Sequence, residues 1–508
     1  MRRSGVAWGV SAAAVAVLLA GLLAARAAAR ADPVVATMAT APFASLTLAP
    51  GNRAIILDQM GRRARLIDTT AGRVIGTLAT GRPLLGHGLP IAVDGRLRRA
   101  FVAWPVAPGG PGAALTIAAF DLTSGRPVGS LTIGLPPGSA MTETYLAVDA
   151  RRHRLFALPF GYPVSALLTV DTARLRALRT VALNPWQAGD GPDPEALGLQ
   201  GVPLAADEGT GRVFVGRPDE PAVAVLDAAS GRLLRTVALP ALPPGSGAGP
   251  GVGAQVACPL VAPGLARVYI TNPVANTVTT LDARTGRVIR TVHLASSPAP
   301  PLVDAAGGRV VVPYQSRYGF AVLDARSGRL LRSGRLLRTR ASGPTPAIIP
   351  IALDDGARRA FVADDMGGTV AVVDLRTGRT LRTVGVGIHP SGLAFDRRHD
   401  RVLVTVAGPC CAGGGQPTGT GALVVLDGAS GRVVRTLPLG RGPLQPLIDE
   451  AGGRALVVNT VGGTTTDPDP WGWVPRPIRQ RFSVFPRPRT RPLSASVMLF
   501  DLAQMAKG

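Results

Sequence analysis

One phrase recurs along this chain: an apolar run, Asp, two or three small or polar residues, Gly-Arg, and a second apolar run. It stands at Asp68 with Gly72-Arg73, Asp121 with Gly125-Arg126, Asp227 with Gly231-Arg232 and Asp282 with Gly286-Arg287. It returns at Asp324 with Gly328-Arg329, Asp374 with Gly378-Arg379 and Asp427 with Gly431-Arg432. A copy at Asp171 lacks the Gly, and Phe500-Asp501 begins a last one at the end of the chain. Successive copies lie 42 to 56 residues apart, with a longer interval before Asp501. The chemistry is that of a β-hairpin. Asp accepts hydrogen bonds from the backbone N–H groups just ahead of it and starts the turn. Gly supplies the positive φ that ends it, and Val, Leu, Ile and Thr flank it as strands prefer. These Asp residues therefore read as turn formers, not as catalytic acids.

Two further short strands precede each hairpin, as in Leu393-Ala394-Phe395 and Val402-Leu403-Val404, or Ile351-Ala352-Leu353 and Ala360-Phe361-Val362. Four strands per unit of about fifty residues is the period of a propeller blade. Runs such as Val370-Ala371-Val372-Val373 are apolar throughout, so both faces need cover, which radially stacked blades provide. A chain of 508 residues would by length alone suggest several domains; a repeat uses that length in one body. The expected fold is all-β: a single β-propeller of eight or nine four-stranded blades over residues 32–508. The count favours nine. The ninth unit begins near Leu444, ends at Asp501 and lacks its outer strand. Val34-Val35-Ala36-Thr37-Met38 resembles the missing strand, and pairing it with the C-terminal unit would leave no open edge.

Arg267-Val268-Tyr269-Ile270-Thr271-Asn272, followed by Asn276-Thr277-Val278 and Leu281-Asp282, resembles the YVTN β-propeller repeat. So does Gly387-Ile388-His389-Pro390-Ser391-Gly392-Leu393-Ala394-Phe395-Asp396. The resemblance covers roughly residues 40 to 505 and is looser near 150–180. The family occurs in surface-layer and periplasmic proteins. The resemblance implies a propeller and an extracytoplasmic site, and little about activity.

The first 31 residues read as an export segment. Arg2 and Arg3 precede an apolar run from Val6 to Ala25, and small-x-small sites follow at Ala25-Arg26-Ala27 and Ala29-Arg30-Ala31. Cleavage near Asp32 would make it a signal peptide; retained, the run is nearly long enough to anchor the protein in a bilayer. The odd, low cysteine count, Cys258 with the adjacent pair Cys410 and Cys411, argues against a disulfide framework. The net charge of +23 comes almost wholly from Arg, with one Lys, Lys507. It is spread along the chain without the compact run of a nucleic-acid-binding arm. Nucleic acid is thus disfavoured as a partner; solvation is the first explanation of the charged rim, and docking to an anionic surface is the alternative. Membrane contact is expected only through the N-terminal segment.

With strands labelled A to D from the axis outward, the A–B and C–D turns share one end of the ring. The D–A and B–C connections share the other. The first set is short and Arg-rich; only the stretch from Cys258 to Arg267 looks longer. The second set holds the irregular segments 184–200, 240–251, 105–112, 408–419 and 462–494. Insertions gathered on one face mark the expected binding face. The insertion Gly462–Ser494 carries Trp471, Trp473, Phe482, Phe485 and six arginines, the residue types of interface hot spots.

No nucleophile elbow, phosphate loop or HExxH motif is present. The five histidines lack metal spacing; His153 and His399 fall in A–B turns and are expected to be solvated. No catalytic residue is assigned and no cofactor is predicted. The B strands end toward the variable face with Asp58, Asn272, Gln315, Asp364, Asp365 and Asn459, a set expected at the mouth of the axial channel. With His389, on a D–A connection, these are the candidate ligand-binding residues. Oxygen donors of this kind suit Ca²⁺ or another divalent cation. Cys410 and Cys411 have the spacing of a vicinal disulfide. The resulting expectation is an extracytoplasmic binding or scaffold protein of the cell envelope whose partner is an envelope protein or polymer. The alternative is a propeller enzyme, lactonase-like with a divalent metal or similar to quinoprotein dehydrogenases.

Overall fold

The computed structural model describes residues 33–506 apart from 41–43, 59–61, 81–89, 107–111, 136–139, 163, 186–201, 218–220, 241–257, 274, 315–318, 336–349, 355, 357, 409–418, 462, 467–489 and 494. The N-terminal export segment lies outside the described residues. No helix among the described residues is long and apolar enough to cross a membrane.

The strands form nine antiparallel blades among the described residues. Eight are consecutive four-stranded meanders. Blade 1 runs from Ser45 to Ala79, blade 2 from Ile91 to Gly134, blade 3 from Ala140 to Pro185 and blade 4 from Leu204 to Ala238. Blade 5 runs from Cys258 to His293, blade 6 from Leu302 to Arg335, blade 7 from Ile351 to Gly385 and blade 8 from Pro390 to Pro438. Blade 9 is composite. Its innermost strand is split into Arg441–Pro443 and Leu447–Asp449, its middle strands are Arg454–Val461 and Ser496–Asp501, and its outer strand is Val34–Ala39. The N-terminal strand pairs Val34 with Phe500 and Ala39 with Ser496. Asp501 N–H donates to the Pro33 carbonyl at 2.8 Å, the bond that Asp121 makes to Arg126 inside an ordinary hairpin. The chain start thus supplies the missing strand, and the count of nine is correct.

Side chains alternate across each strand, so every blade offers an apolar face to each neighbour. Nine core clusters result among the described residues, one per blade interface. The one that closes the ring joins Ala54, Ile56 and Ile67 of blade 1 to Leu456, Val458, Val497 and Leu499 of blade 9.

The recurring phrase forms the C–D hairpin. In blade 5, Asp282 Oδ1 accepts from the N–H groups of Arg284 and Thr285 at 3.1 and 2.9 Å and from the Thr285 hydroxyl at 3.0 Å. Gly286 turns with φ 66°, and a register shift follows between Thr280 and Leu281. Blade 3 lacks the Gly. Leu175 takes the left-handed conformation there, φ 51°, and its side chain packs into the core between blades 2 and 3.

A second regularity was not read from the sequence. Strand B of every blade begins with Arg, and that Arg stands opposite the Asp that ends strand C, from Arg53 and Asp68 to Arg454 and Asp501. Ion pairs close at 3.0 Å for Arg53–Asp68, 3.1 Å for Arg212–Asp227 and 2.7 Å for Arg401–Asp427. The same guanidinium reaches the C–D turn of the next blade. Arg53 Nε donates to the Leu122 carbonyl at 3.1 Å, Arg154 Nε to Ala229 at 3.0 Å and Arg267 Nε to Arg326 at 2.8 Å. The planar, multiply donating guanidinium suits this double role. The arginines that open the B strands therefore act as structural latches.

One expectation is corrected. The turn between Cys258 and Arg267 is not long: Cys258–Ala262 is strand A of blade 5, paired with Arg267–Asn272, and the turn between them is ordinary.

Candidate functional site

The end of the ring that carries the B–C and D–A connections receives the ends of the B strands, where the candidate residues lie. Asp58 ends strand B of blade 1, is buried, and takes Arg63 Nε at 3.2 Å across the B–C turn. Asp364 does the same work in blade 7, accepting the Gly367 N–H at 2.9 Å. Asn272 accepts the Ala275 N–H at 3.0 Å and donates to the Pro240 carbonyl at 3.4 Å. Asn459 donates to Ser496 Oγ at 3.2 Å inside blade 9. These four are buried at 5% exposure or less; each is built into its own corner instead of standing in a wet channel mouth. Gln315, Trp471, Trp473, Cys410 and Cys411 lie outside the described residues, although the strands Gly463–Thr466 and Thr490–Leu493 pair as a ribbon at the base of the Trp-bearing insertion.

Two candidates come together. His389 Nδ1 lies 3.0 Å from Asp365 Oδ1, joining the D–A connection between blades 7 and 8 to the B–C turn of blade 7. Both side chains are partly open to solvent. Backbone bonds fix the corner: the Gly368 carbonyl accepts the N–H groups of Val386 and Gly387 at 2.9 and 3.2 Å, and the His389 carbonyl accepts the Ala407 N–H at 2.9 Å. His389 sits at φ 57°, in the left-handed region that a non-glycine residue enters at a cost. Beside the pair stand Met366 and Ile388, 62% and 56% exposed. An anchored polar pair between two open aliphatic side chains has the make-up of a protein-recognition spot, with the thioether able to adapt its packing.

Two other histidines stand against carboxylates in A–B turns: His399 Nδ1 meets Asp396 Oδ2 at 2.7 Å, where it is less solvated than expected, and the more open His153 has Nδ1 3.5 Å from Asp94. Cys258 has its thiol pushed up to about 12 by burial, which removes it from thiolate chemistry. No group of three or more His, Cys, Asp or Glu placed to hold a metal occurs among the described residues. The Asp365–His389 pair was half legible: both residues were singled out, but only the fold shows that blade 7 brings a turn and a connection to one corner.

Residues 179–365, from the outer strand of blade 3 to blade 7, match the family profile PQQ_2, described as outer membrane protein assembly factor BamB. Among curated proteins none matches the chain. Among solved structures, a dihydro-heme d1 dehydrogenase, NirN, in complex with DHE is similar at 15% identity, covering 85% of each chain with a TM-score of 0.48. BamB from Moraxella catarrhalis is similar at 13% identity, over 73% of this chain and 96% of that one, with a TM-score of 0.47. Sqt1 from Saccharomyces cerevisiae is similar at 10% identity, over 74% and 92%, with a TM-score of 0.44. Identity this low does not carry an activity from one ring to another.

Proposed function

We propose that this chain is an extracytoplasmic β-propeller of the cell envelope that binds a partner protein at its B–C and D–A end and works as a scaffold. The observation that carries the reading is the corner of blades 7 and 8, where the Asp365–His389 pair is flanked by exposed Met366 and Ile388. Between the paired strands Gly463–Thr466 and Thr490–Leu493, in the B–C connection of blade 9, the sequence holds Trp471, Trp473 and several arginines, residue types of the hot-spot kind. The partial match to the BamB profile, whose description is that of an assembly factor, supports a binding role. The YVTN-like phrases and the apolar N-terminal run support the extracytoplasmic location.

A photo-crosslinking residue at position 366 or 388, compared with one at position 287 on the opposite end, tests the reading in cells. Adducts with one polypeptide from positions 366 and 388 alone are expected. Equal or absent crosslinking at all three would overturn it. The enzyme reading makes a separate demand: stoichiometric metal or an absorbing cofactor in the purified protein, read by elemental analysis and a visible spectrum.

A further inference from the structure

The other end of the ring carries a second exposed apolar set. Outside Met366, Ile388 and Leu444, every exposed large aliphatic residue among the described residues lies on an outer strand. They follow the C–D turns in a fixed phrase: Arg232-Leu233-Leu234 in blade 4, Arg287-Val288-Ile289 in blade 5 and Arg329-Leu330-Leu331 in blade 6. Blades 7 and 8 continue it with Leu381 and Val433, 59% and 47% exposed, behind Arg379 and Arg432. An edge strand that needs only solubility carries charge and avoids open aliphatic pairs. Here arginine and aliphatic residues alternate around five successive blades at one level of the ring.

Some arginine on this wall is explained by the fold. Arg235 Nη1 donates to the Thr285 carbonyl of the next blade at 3.3 Å, and Arg382 to that of Ser430. The arginines of the Gly-Arg step are different. Their side chains are exposed, and the hydrogen bonds of the turn go to their backbone, as when Arg287 N–H donates to Thr285 Oγ1 at 3.3 Å.

We infer that the C–D rim docks face-on against an anionic phospholipid surface, with the Gly-Arg arginines on lipid phosphates and the aliphatic pairs among the headgroups. Three observations carry this. Arginine forms bidentate bonds to phosphate. A strong excess of positive charge, +23 over the chain, is drawn to an anionic leaflet. Finally, Pro33 sits on the same rim, bonded to Asp501, so the apolar run that precedes it joins the ring at the end proposed to face the lipid. The partner-binding corner at blades 7 and 8 then points away from the membrane. The inference does not depend on that corner's being a binding site.

The test uses the full chain with vesicles of phosphatidylcholine alone or with one quarter phosphatidylglycerol. Insertion of an apolar run, where it is retained, does not depend on lipid charge, so the readout is amide exchange in the outer strands Leu233–Ala238, Val288–His293 and Leu330–Arg335. Protection by the anionic vesicles only, removed by high salt, is expected. In the variant carrying Arg232→Gln, Arg287→Gln, Arg329→Gln, Arg379→Gln and Arg432→Gln, that protection should fall by about tenfold or more, with an unchanged melting curve. Equal exchange in both vesicles would overturn the inference. So would protection by a soluble polyanion such as dextran sulfate without any by vesicles, which would assign the rim to a polymer.

Discussion

Arg454 holds Asp501 at 2.8 Å within blade 9 and sends its other terminal nitrogen to the Thr70 carbonyl in blade 1, 3.4 Å away. One side chain thus ties a blade together and ties the last blade to the first. Arg454→Met keeps most of the aliphatic stem and removes both bonds; a loss of about 1–3 kcal/mol is expected for such a partly buried, charge-assisted pair. Arg454→Lys should recover little, because an ammonium cannot serve two partners in this fixed geometry. Thermal unfolding of both variants beside Arg212→Met, the same position at mid-ring, is the check. An unchanged midpoint for Arg454→Met would leave the seam to strand pairing and apolar packing alone.

The seam also makes a stronger prediction about the outer strand of blade 9. Without residues 33–39, Ser496–Asp501 becomes an open edge and Met38 and Ala36 leave the closing core. The truncated protein should self-associate through that edge. A synthetic peptide spanning residues 33–40 should restore a monodisperse ring by adding back the strand. Light scattering with and without the peptide reads the outcome; a truncated chain that stays monomeric and melts as before would show that the N-terminal strand is dispensable.

The hairpins and the closing strand were legible because turn chemistry and strand composition are local. Asp282, Gly286 and the runs around them each state their conformation within a few residues. The arginine latch was not legible. Arg53 looks like any surface charge until Asp68 is placed opposite it and Leu122 beside it, and those partners lie fifteen and sixty-nine positions away. The candidate site was partly legible for the same reason. Asp58 and Asn459 were marked by their position at the ends of B strands, but strand position does not tell whether a carboxylate faces a channel or closes its own turn. Only register, which pairs Asp58 with Arg63, decides that.

Gly76 lies where the backbones of blades 1 and 2 come close together. A Cβ there would stand 2.3 Å from the Gly125 carbonyl oxygen, a backbone atom that cannot swing aside. Gly76→Ala should therefore cost about 1–3 kcal/mol through forced displacement of the C–D turn. Gly134→Ala, where the new methyl group meets nothing within 4 Å, should be neutral or slightly stabilising. Denaturant midpoints of the two variants separate a packing constraint from a general effect of glycine replacement.

The hairpin aspartates make the ring acid-sensitive. Asp324 is held below its ordinary value of 3.8 by the Ser327 hydroxyl, then by the Ser327 N–H; Asp427 is lowered likewise by Ser430. Asp68, Asp121, Asp171, Asp227, Asp282 and Asp374 are lowered too. A carboxylate that is more acidic folded than unfolded stabilises the fold fully above the unfolded value. That contribution fades as pH falls through the folded one. Melting temperature should hold steady down to the ordinary carboxylate range and then fall steeply. In Asp324→Asn or Asp427→Asn the gap to the parent should be widest near neutrality and narrow with acid; a constant gap would place the effect in the turn's shape, not its charge.

His389 and Asp365 should separate binding from folding. The left-handed φ of His389 costs stability that Gly would recover, and a half-open side-chain hydrogen bond returns about 1 kcal/mol at most. His389→Gly should thus melt within about 0.5 kcal/mol of the parent. The same holds for Met366→Glu and for Ile388→Glu, since neither side chain is packed. His389→Gly should lose the partner crosslink formed from position 366 or 388, because the corner loses its fixed polar pair; Met366→Glu should lose the one formed from position 388, and Ile388→Glu the one formed from position 366, because an apolar anchor becomes charged. A drop of about 2 kcal/mol or more in His389→Gly would instead make that residue a fold element, because a structural histidine is missed in the melt before it is missed in binding.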